Sequence, residues 1–515
     1  MKQRYSTYLV YAFLLMMAVL AYACSGSEVT ESGPTEPGAG NAPEAIVFDS
    51  YLQRTANGTR TTYPVGTPVG AVDNAALQAA SFAVFAQYTE NTPWTRADKN
   101  VPFNFMWHQK VDYDTDHWTY SPVKYWPNDN QPADNQDAQG SVAHSYLTFF
   151  AYAPYQQVDT PTTGFDVKDY DGPDDGTAPD HDGIVAVSGN GVDMAHSYVY
   201  YRTSLEKPFG VDESVDLLWA TAQNRYKYDS NDANDDGRVA DNVQLVFKHA
   251  LTKLAINAKA MIDRTADHTS PAYSTAVDGN SRIFIKSVDI TSPKYYTEGK
   301  LLLAPDADVP TWDYTGVDDS FQKSHFMFGG NAAIGHDVIN SSNDMDDINY
   351  SMRYAAPNIP AVASITDSDS DGLDDDTGLT LVETARAAFD AMEQGVTDSE
   401  RQLSAGYPLI LFLPSTDTGT LSVRVVYHVV TFDPNLTLNA VPYFSDVTND
   451  ITATLGDASF RFDPNKQYKL VLNLGLTSAK FDISVLDDAG EYILLSSVVK
   501  EWDVNTKEVN VVNVE

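Results

Sequence analysis

Leu147-Thr148-Phe149-Phe150-Ala151-Tyr152, followed closely by Pro154, decides the fold class. Aromatic and β-branched residues suit a pleated, buried surface, and the run is too short for a helix. Phe82-Ala83-Val84-Phe85-Ala86-Gln87-Tyr88 reads the same way, as do residues 283–290 and 421–427. Toward the end, residues 468–474, 481–485 and 508–514 repeat the pattern, with Asp, Asn, Gly and Pro between them. Near the start, Ile46-Val47-Phe48-Asp49-Ser50-Tyr51-Leu52 places Ile46, Phe48 and Leu52 on one face of a strand. Only residues 383–394 space their apolar side chains as a helix does. Short strands punctuated by turn residues predict an all-β fold of β-sandwiches.

Three acidic inserts interrupt the strands, at residues 166–182, 229–241 and 367–376. They are too polar for a core and read as surface loops. The second sets the expected division into an N-terminal sandwich over 44–241 and a C-terminal one over 242–515. The chain of 515 residues carries 71 acidic against 33 basic residues, a net charge of −38. Such a surface repels nucleic acid and anionic lipid headgroups, which excludes both as partners.

The first residues predict export. Lys2 and Arg4 precede an apolar run from Tyr8 to Ala23 that is shorter than a membrane-spanning helix, the pattern of a signal peptide over 1–23. The single cysteine of the chain, Cys24, closes that run after Ala21-Tyr22-Ala23. One thiol makes no internal disulfide, and its position resembles a bacterial lipobox, in which it takes a lipid. Tyr22 departs from that pattern, and the competing reading is an incidental cysteine in a discarded peptide. Residues 24–43 are rich in Ser, Gly, Glu, Thr and Pro and read as a flexible tether.

Asp367-Ser368-Asp369-Ser370-Asp371-Gly372-Leu373-Asp374 alternates carboxylates before a glycine, the arrangement in which oxygens converge on Ca²⁺. Asp232-Ala233-Asn234-Asp235-Asp236-Gly237 repeats it, which makes Asp367, Asp369, Asp371, Asp374, Asp232, Asn234 and Asp236 the candidate ligands. Neither loop has the twelfth-position glutamate, since Gly378 and Val243 stand there, and a solvated acidic loop is the competing reading. No cofactor is required on this reading; a structural Ca²⁺ is the one candidate. Enzyme signatures are missing: no H-E-x-x-H, no G-x-S-x-G and no phosphate loop with its lysine occurs. Ile184-Val185-Ala186-Val187-Ser188-Gly189 leads into a hairpin turn, not a dinucleotide site. The chain reads as no enzyme. Trp107, Trp118 and Trp126 are either core packing or a sugar-stacking platform, with the former favoured.

Several blocks together are similar to one family. Phe105-Met106, residues 118–127 (WTYSPVKYWP), residues 147–154 (LTFFAYAP), Asp216-Leu217-Leu218-Trp219-Ala220 and residues 243–254 (VQLVFKHALTKL) resemble, in order, the N-terminal domain of Bacteroidales fimbrillin-like proteins. Residues 462–470 (FDPNKQYKL) and 474–478 (LGLTS) resemble the C-terminal domain. The resemblance implies two transthyretin-like β-sandwiches in a lipoprotein exported to the outer membrane and the cell surface. It also implies proteolysis after an arginine beyond the first strand, and filling of the opened groove by a C-terminal strand of the next subunit.

Arg54 and Arg60 lie in a small-residue polar stretch just after Leu52, where cleavage is easy, and the competing reading is an ordinary loop. The donor strand expected is the terminal one, with Val509, Val511 and Asn513 on one face. The leading function is therefore a fimbrial (pilus) subunit or tip adhesin, with other fimbrial subunits as partners and host or bacterial glycans or proteins as targets of a tip. The alternative is a non-polymerising surface lipoprotein that binds glycans, which needs an exposed aromatic cluster and an intact first strand.

Overall fold

The computed structural model describes residues 45–52, 74–90, 92–127, 145–157, 183–189, 192–203, 215–227, 242–261, 281–329, 348–350, 367–391, 401–402, 410–438, 441–476, 478–486, 492–501 and 509–511. Cys24 and the tether, Arg54, Arg60, Asp232, Asn234, Asp236 and the first two acidic inserts lie outside them. The expected all-β class holds: strands dominate, with two α-helices, Asn74–Ala80 and Leu381–Ala391, among the described residues. No helix there is long and apolar enough to cross a membrane.

Phe82–Tyr88 and Leu147–Ala153 pair antiparallel in the middle of a seven-stranded sheet. Outward from Leu147–Ala153 come Leu218–Arg225, then Asn242–His249, then Val47–Leu52 at one edge. Met106–Asp114 and His117–Thr119 form the other side. Both central strands are apolar almost without alternation because both faces of the sheet are buried. On one face Phe82, Phe149 and Phe247 close over a core that also holds Phe48, Trp118 and Trp126. On the other, Phe85, Phe150, Tyr152 and Trp219 pack on Val199, Tyr201 and Leu301. Those last three come from a four-stranded sheet of Gly183–Ser188, Tyr198–Arg202, Glu298–Leu302 and Trp312–Asp313.

A second sandwich faces two six-stranded sheets. One contains Thr252–Met261, Gln467–Gly475, Ser478–Leu486 and, at its edge, Tyr492–Glu501. The other contains Ser281–Tyr296, Gln322–Gly329, Leu421–Leu438 and Val441–Leu455, with Val509–Val511 on its rim. Ile256, Leu470 and Phe481 from the first meet Ile285, Phe326 and Tyr427 from the second. Leu381–Ala391 covers an outer face with Ala385 and Phe389 against Phe284, Val430 and Phe432. It starts two residues before the expected 383 because Thr380 caps it: Thr380 N–H donates to Glu383 Oε2 at 3.1 Å and Glu383 N–H to Thr380 Oγ1 at 3.3 Å.

The hydrogen-bonded sheets do not divide at 241/242. Asn242–His249 pairs antiparallel with Leu218–Arg225 (Leu218 opposite His249, Trp219 opposite Lys248) and so belongs to the first sheet. Glu298–Leu302 likewise returns to pair with Tyr198–Arg202. The second acidic insert joins two neighbouring strands of one sheet, so its polarity marks a long connection within that sheet.

Candidate functional site

Val47–Leu52 is the edge strand of the first sheet and pairs in parallel with Asn242–His249, from Val47 opposite Asn242 to Leu52 opposite Phe247. Ile46 and Phe48 point into the core, and Asp49 is exposed. The Phe48 ring meets Phe82 and Phe149 edge-on at 6.2 and 5.7 Å and tilts against Tyr120 at 5.4 Å. Such aromatic packing is specific in geometry as well as apolar. Ser50 sits on the inward side too, its Oγ buried without a hydrogen-bond partner among the described residues.

The chain just before this strand is held by its backbone. Ile46 N–H donates to the Lys124 carbonyl at 2.9 Å. The Tyr120 hydroxyl lies 2.9 Å from the Ile46 carbonyl oxygen and 3.2 Å from that of Lys124, and Lys124 N–H donates to it at 3.2 Å. Burial pushes the Tyr120 phenol up to about 12, so it stays a donor at any physiological pH. One hydroxyl thus holds the backbone at Ile46 independent of the side chain there.

At the other end of the chain, Tyr492–Glu501 pairs with Ser478–Leu486 on one side and is an edge on the other. Its apolar side chains are outside: Ile493, Leu494, Leu495 and Val499 are 51%, 55%, 45% and 60% exposed. An edge strand with apolar residues in water is a template for pairing with another chain. Val509–Val511 pairs antiparallel with Val441–Leu455 (Val511 opposite Ser445, Val509 opposite Val447).

No family model matches the chain. The fimbrium subunit Fim1C of Phocaeicola vulgatus is 30% identical over 161 residues, 31% of this chain and 34% of that protein. Over that stretch the chain is similar to a fimbrium subunit. Its match spans about a third of the length of that curated relative. Among solved structures, a fimbrial protein from Bacteroides vulgatus is similar at 17% identity, covering 89% of this chain and 99% of that one, with a TM-score of 0.45. A fimbrial assembly protein from Parabacteroides distasonis is similar at 7% identity over 88% and 100% of the two chains, TM-score 0.30. The fimbrial anchor protein Mfa2 from Porphyromonas gingivalis is similar at 9% identity over 90% and 98%, TM-score 0.27.

The third acidic insert gathers part of the expected ligand set. One oxygen each from Asp367, Asp369 and Asp375 lies within 4.8 Å of the others. Asp371 Oδ1 instead accepts from Leu373 N–H at 2.8 Å. Asp374 is buried, and its Oδ2 accepts from Thr377 Oγ1 at 2.6 Å and Thr384 Oγ1 at 3.3 Å. Asp375 escaped the sequence reading, although it stands at the ninth loop position, where calcium loops place a ligand.

The tryptophans do not form a shared platform. Trp118 and Trp126 are buried on one face of the first sheet, and Trp107 packs on the core of the opposite face. Also unforeseen is a buried ion cluster. Asp216 Oδ2 lies 2.8 Å from His249 Nδ1 and 3.1 Å from Lys253 Nζ. Burial alone raises the Asp216 carboxyl, but the His249 and Lys253 charges outweigh it and hold the group down at about 2. His108, buried with its Nε2 2.6 Å from the Tyr152 hydroxyl, is lowered by desolvation to about 4.

Proposed function

We propose that this chain is a fimbrial subunit displayed at the cell surface, made as a lipid-anchored precursor at Cys24 and assembled by strand exchange. In this reading a protease cuts after Arg54 or Arg60, Val47–Leu52 leaves, and a C-terminal strand of another fimbrial subunit takes its place. The similarity to a fimbrium subunit supports the class of protein. The observation that carries the mechanism is the pairing of opposites at the two ends: a first strand buried at a sheet edge and a late strand exposing its apolar side chains at another edge.

Removing the first strand opens Asn242–His249 and the apolar trench around Phe82, Phe149 and Tyr120. Refilling it buries on the order of 300 Å² of apolar surface, about 7 kcal/mol before association entropy. Ladder hydrogen bonds to Asn242–His249 add to that. The chain's role is structural and not catalytic, and its partners are other fimbrial subunits. Glycan capture by an exposed tryptophan cluster finds no support, since Trp118 and Trp126 are core residues. Limited trypsin digestion followed by size analysis tests the mechanism: processed protein should form multimers that the uncut chain does not.

A further inference from the structure

We propose that the strand filling the seat of Val47–Leu52 is Tyr492–Glu501 of a second copy, in one register. Ile493 takes the place of Ile46, Leu495 that of Phe48, Ser497 that of Ser50 and Val499 that of Leu52. This rests on the strand-exchange reading above and deepens it by naming the strand and its frame.

The two strands share a sequence pattern. Residues 46–52 read Ile-x-Phe-x-Ser-x-Leu, with Ile46 and Phe48 turned to the core, and residues 493–499 read Ile-x-Leu-x-Ser-x-Val in sequence. A bulge at Leu495 interrupts that alternation in their own sheet, and an unbulged seat restores it. The serine is the informative member. A hydroxyl in the third place interrupts an otherwise apolar strand, and the seat already holds one, since Ser50 Oγ is buried there. The intervening positions agree as well. Asp49 is exposed while Val47 and Tyr51 are half-buried, and Ser496 falls on Asp49 with Leu494 and Val498 on the other two.

Exposure selects the frame. Shifted by one, Tyr492, Leu494, Ser496 and Val498 also read apolar, apolar, serine, apolar. Two of those residues are engaged at home: the Lys469 ammonium sits 4.5 Å from the Tyr492 ring centroid, and Val498 packs on the core of its own sandwich. Ile493, Leu495, Ser497 and Val499 are all exposed. The terminal strand expected from sequence fits less well. Its alternate residues Val509, Val511, Asn513 and Glu515 would put a carboxylate on the row that Ile46 and Phe48 turn to the core, and an unpaired buried charge is costly.

Disulfide trapping decides among these frames. Gln244 lies opposite Asp49 in the present pairing, and both are exposed. In a Cys24→Ser background, Gln244→Cys is combined in turn with Ser496→Cys, Leu495→Cys or Val512→Cys, and each protein is processed with trypsin and mildly oxidised. The proposal predicts an intermolecular ladder on non-reducing gels for the Ser496 pair alone, and none without trypsin. A one-residue shift turns the thiol to the opposite face, so neighbouring frames do not trap each other. A ladder from Leu495→Cys or Val512→Cys instead overturns the register or the strand while leaving strand exchange standing. Multimers by light scattering with no ladder in the Ser496 pair also overturn the register. Processed protein that stays monomeric overturns the exchange itself. As an independent reading, Leu495→Phe, which restores the ring that Phe48 supplies, should slow subunit dissociation severalfold; an unchanged rate contradicts the placement of Leu495.

Discussion

The strand Val47–Leu52 and the strand Tyr492–Glu501 are both sheet edges with the same spacing of apolar residues and serine, yet their environments are opposite. Phe48 is enclosed by three aromatic rings, whereas Leu495 is 45% exposed. The pattern alone states which face can be buried, and pairing decides whether it is. A chain with a covered strand at the edge of one sheet and apolar residues in water at the edge of another has the two parts that the proposed exchange requires.

Truncation breaks or confirms that contrast most strongly. Phe48→Ala removes a fully buried ring and should lower unfolding stability by about 3–5 kcal/mol, while Leu495→Ala should change it by no more than ~0.5 kcal/mol in the uncut monomer. Urea titrations of both variants give the answer; equal costs would mean that Leu495 is packed at home.

Acid should act on the first sandwich from its other face. His108 falls from 6.5 to about 4 on burial, so the unfolded chain binds the extra proton first. Its stabilising contribution is complete above pH 6.5 and is lost as pH falls toward 4, by up to about 3 kcal/mol at ~1.4 kcal/mol per pKa unit. His108→Gln should flatten the stability profile over that window. Asp216 has the lowered carboxyl and adds a later loss, between its unfolded value near 4 and about 2. A profile unchanged by His108→Gln would sink the assignment of the pH 4–6.5 window to this residue.

Tyr120→Phe deletes the hydroxyl that reads the Ile46 backbone and keeps the ring against Phe48. A loss of about 1 kcal/mol is expected, together with faster release of the first strand after trypsin cleavage, followed by mass spectrometry. The smallest effect concerns calcium. Calorimetry at millimolar Ca²⁺ should show weak binding that Asp369→Ala abolishes and Asp374→Ala leaves, since Asp374 serves Thr377 and Thr384. Absence of heat in the parent chain reduces the loop to solvated carboxylates.

Much of this was legible in the sequence, for definite reasons. Phe82–Tyr88 and Leu147–Ala153 are continuous apolar runs because both faces of their sheet are covered, and such runs read as strands without any knowledge of the partner. The inward face of residues 46–48 followed from alternation alone. Pairing was not legible. Val47–Leu52 finds its neighbour at Asn242–His249, far along the chain, and nothing local specifies a parallel partner at that distance. The same gap hid where the second acidic insert sits, because an insert between two strands of one sheet looks like a linker until Leu218 is seen opposite His249. In the third acidic insert, side-chain direction was the missing quantity: Asp374 turns inward to the start of a helix and Asp375 turns out beside Asp367 and Asp369. The exposed apolar residues of Tyr492–Glu501 do not alternate cleanly, since a bulge falls at Leu495, and the terminal valines offer a tidier alternation in sequence.

The central claim is that this chain multimerises once its first strand is gone. Multi-angle light scattering of trypsin-processed protein at high concentration, with mass spectrometry confirming loss of the residues through Leu52, measures it directly. The account predicts a mass distribution that grows in steps of one processed chain, against a monomer for uncut protein. Processed protein that is folded, lacks the first strand and remains strictly monomeric contradicts it.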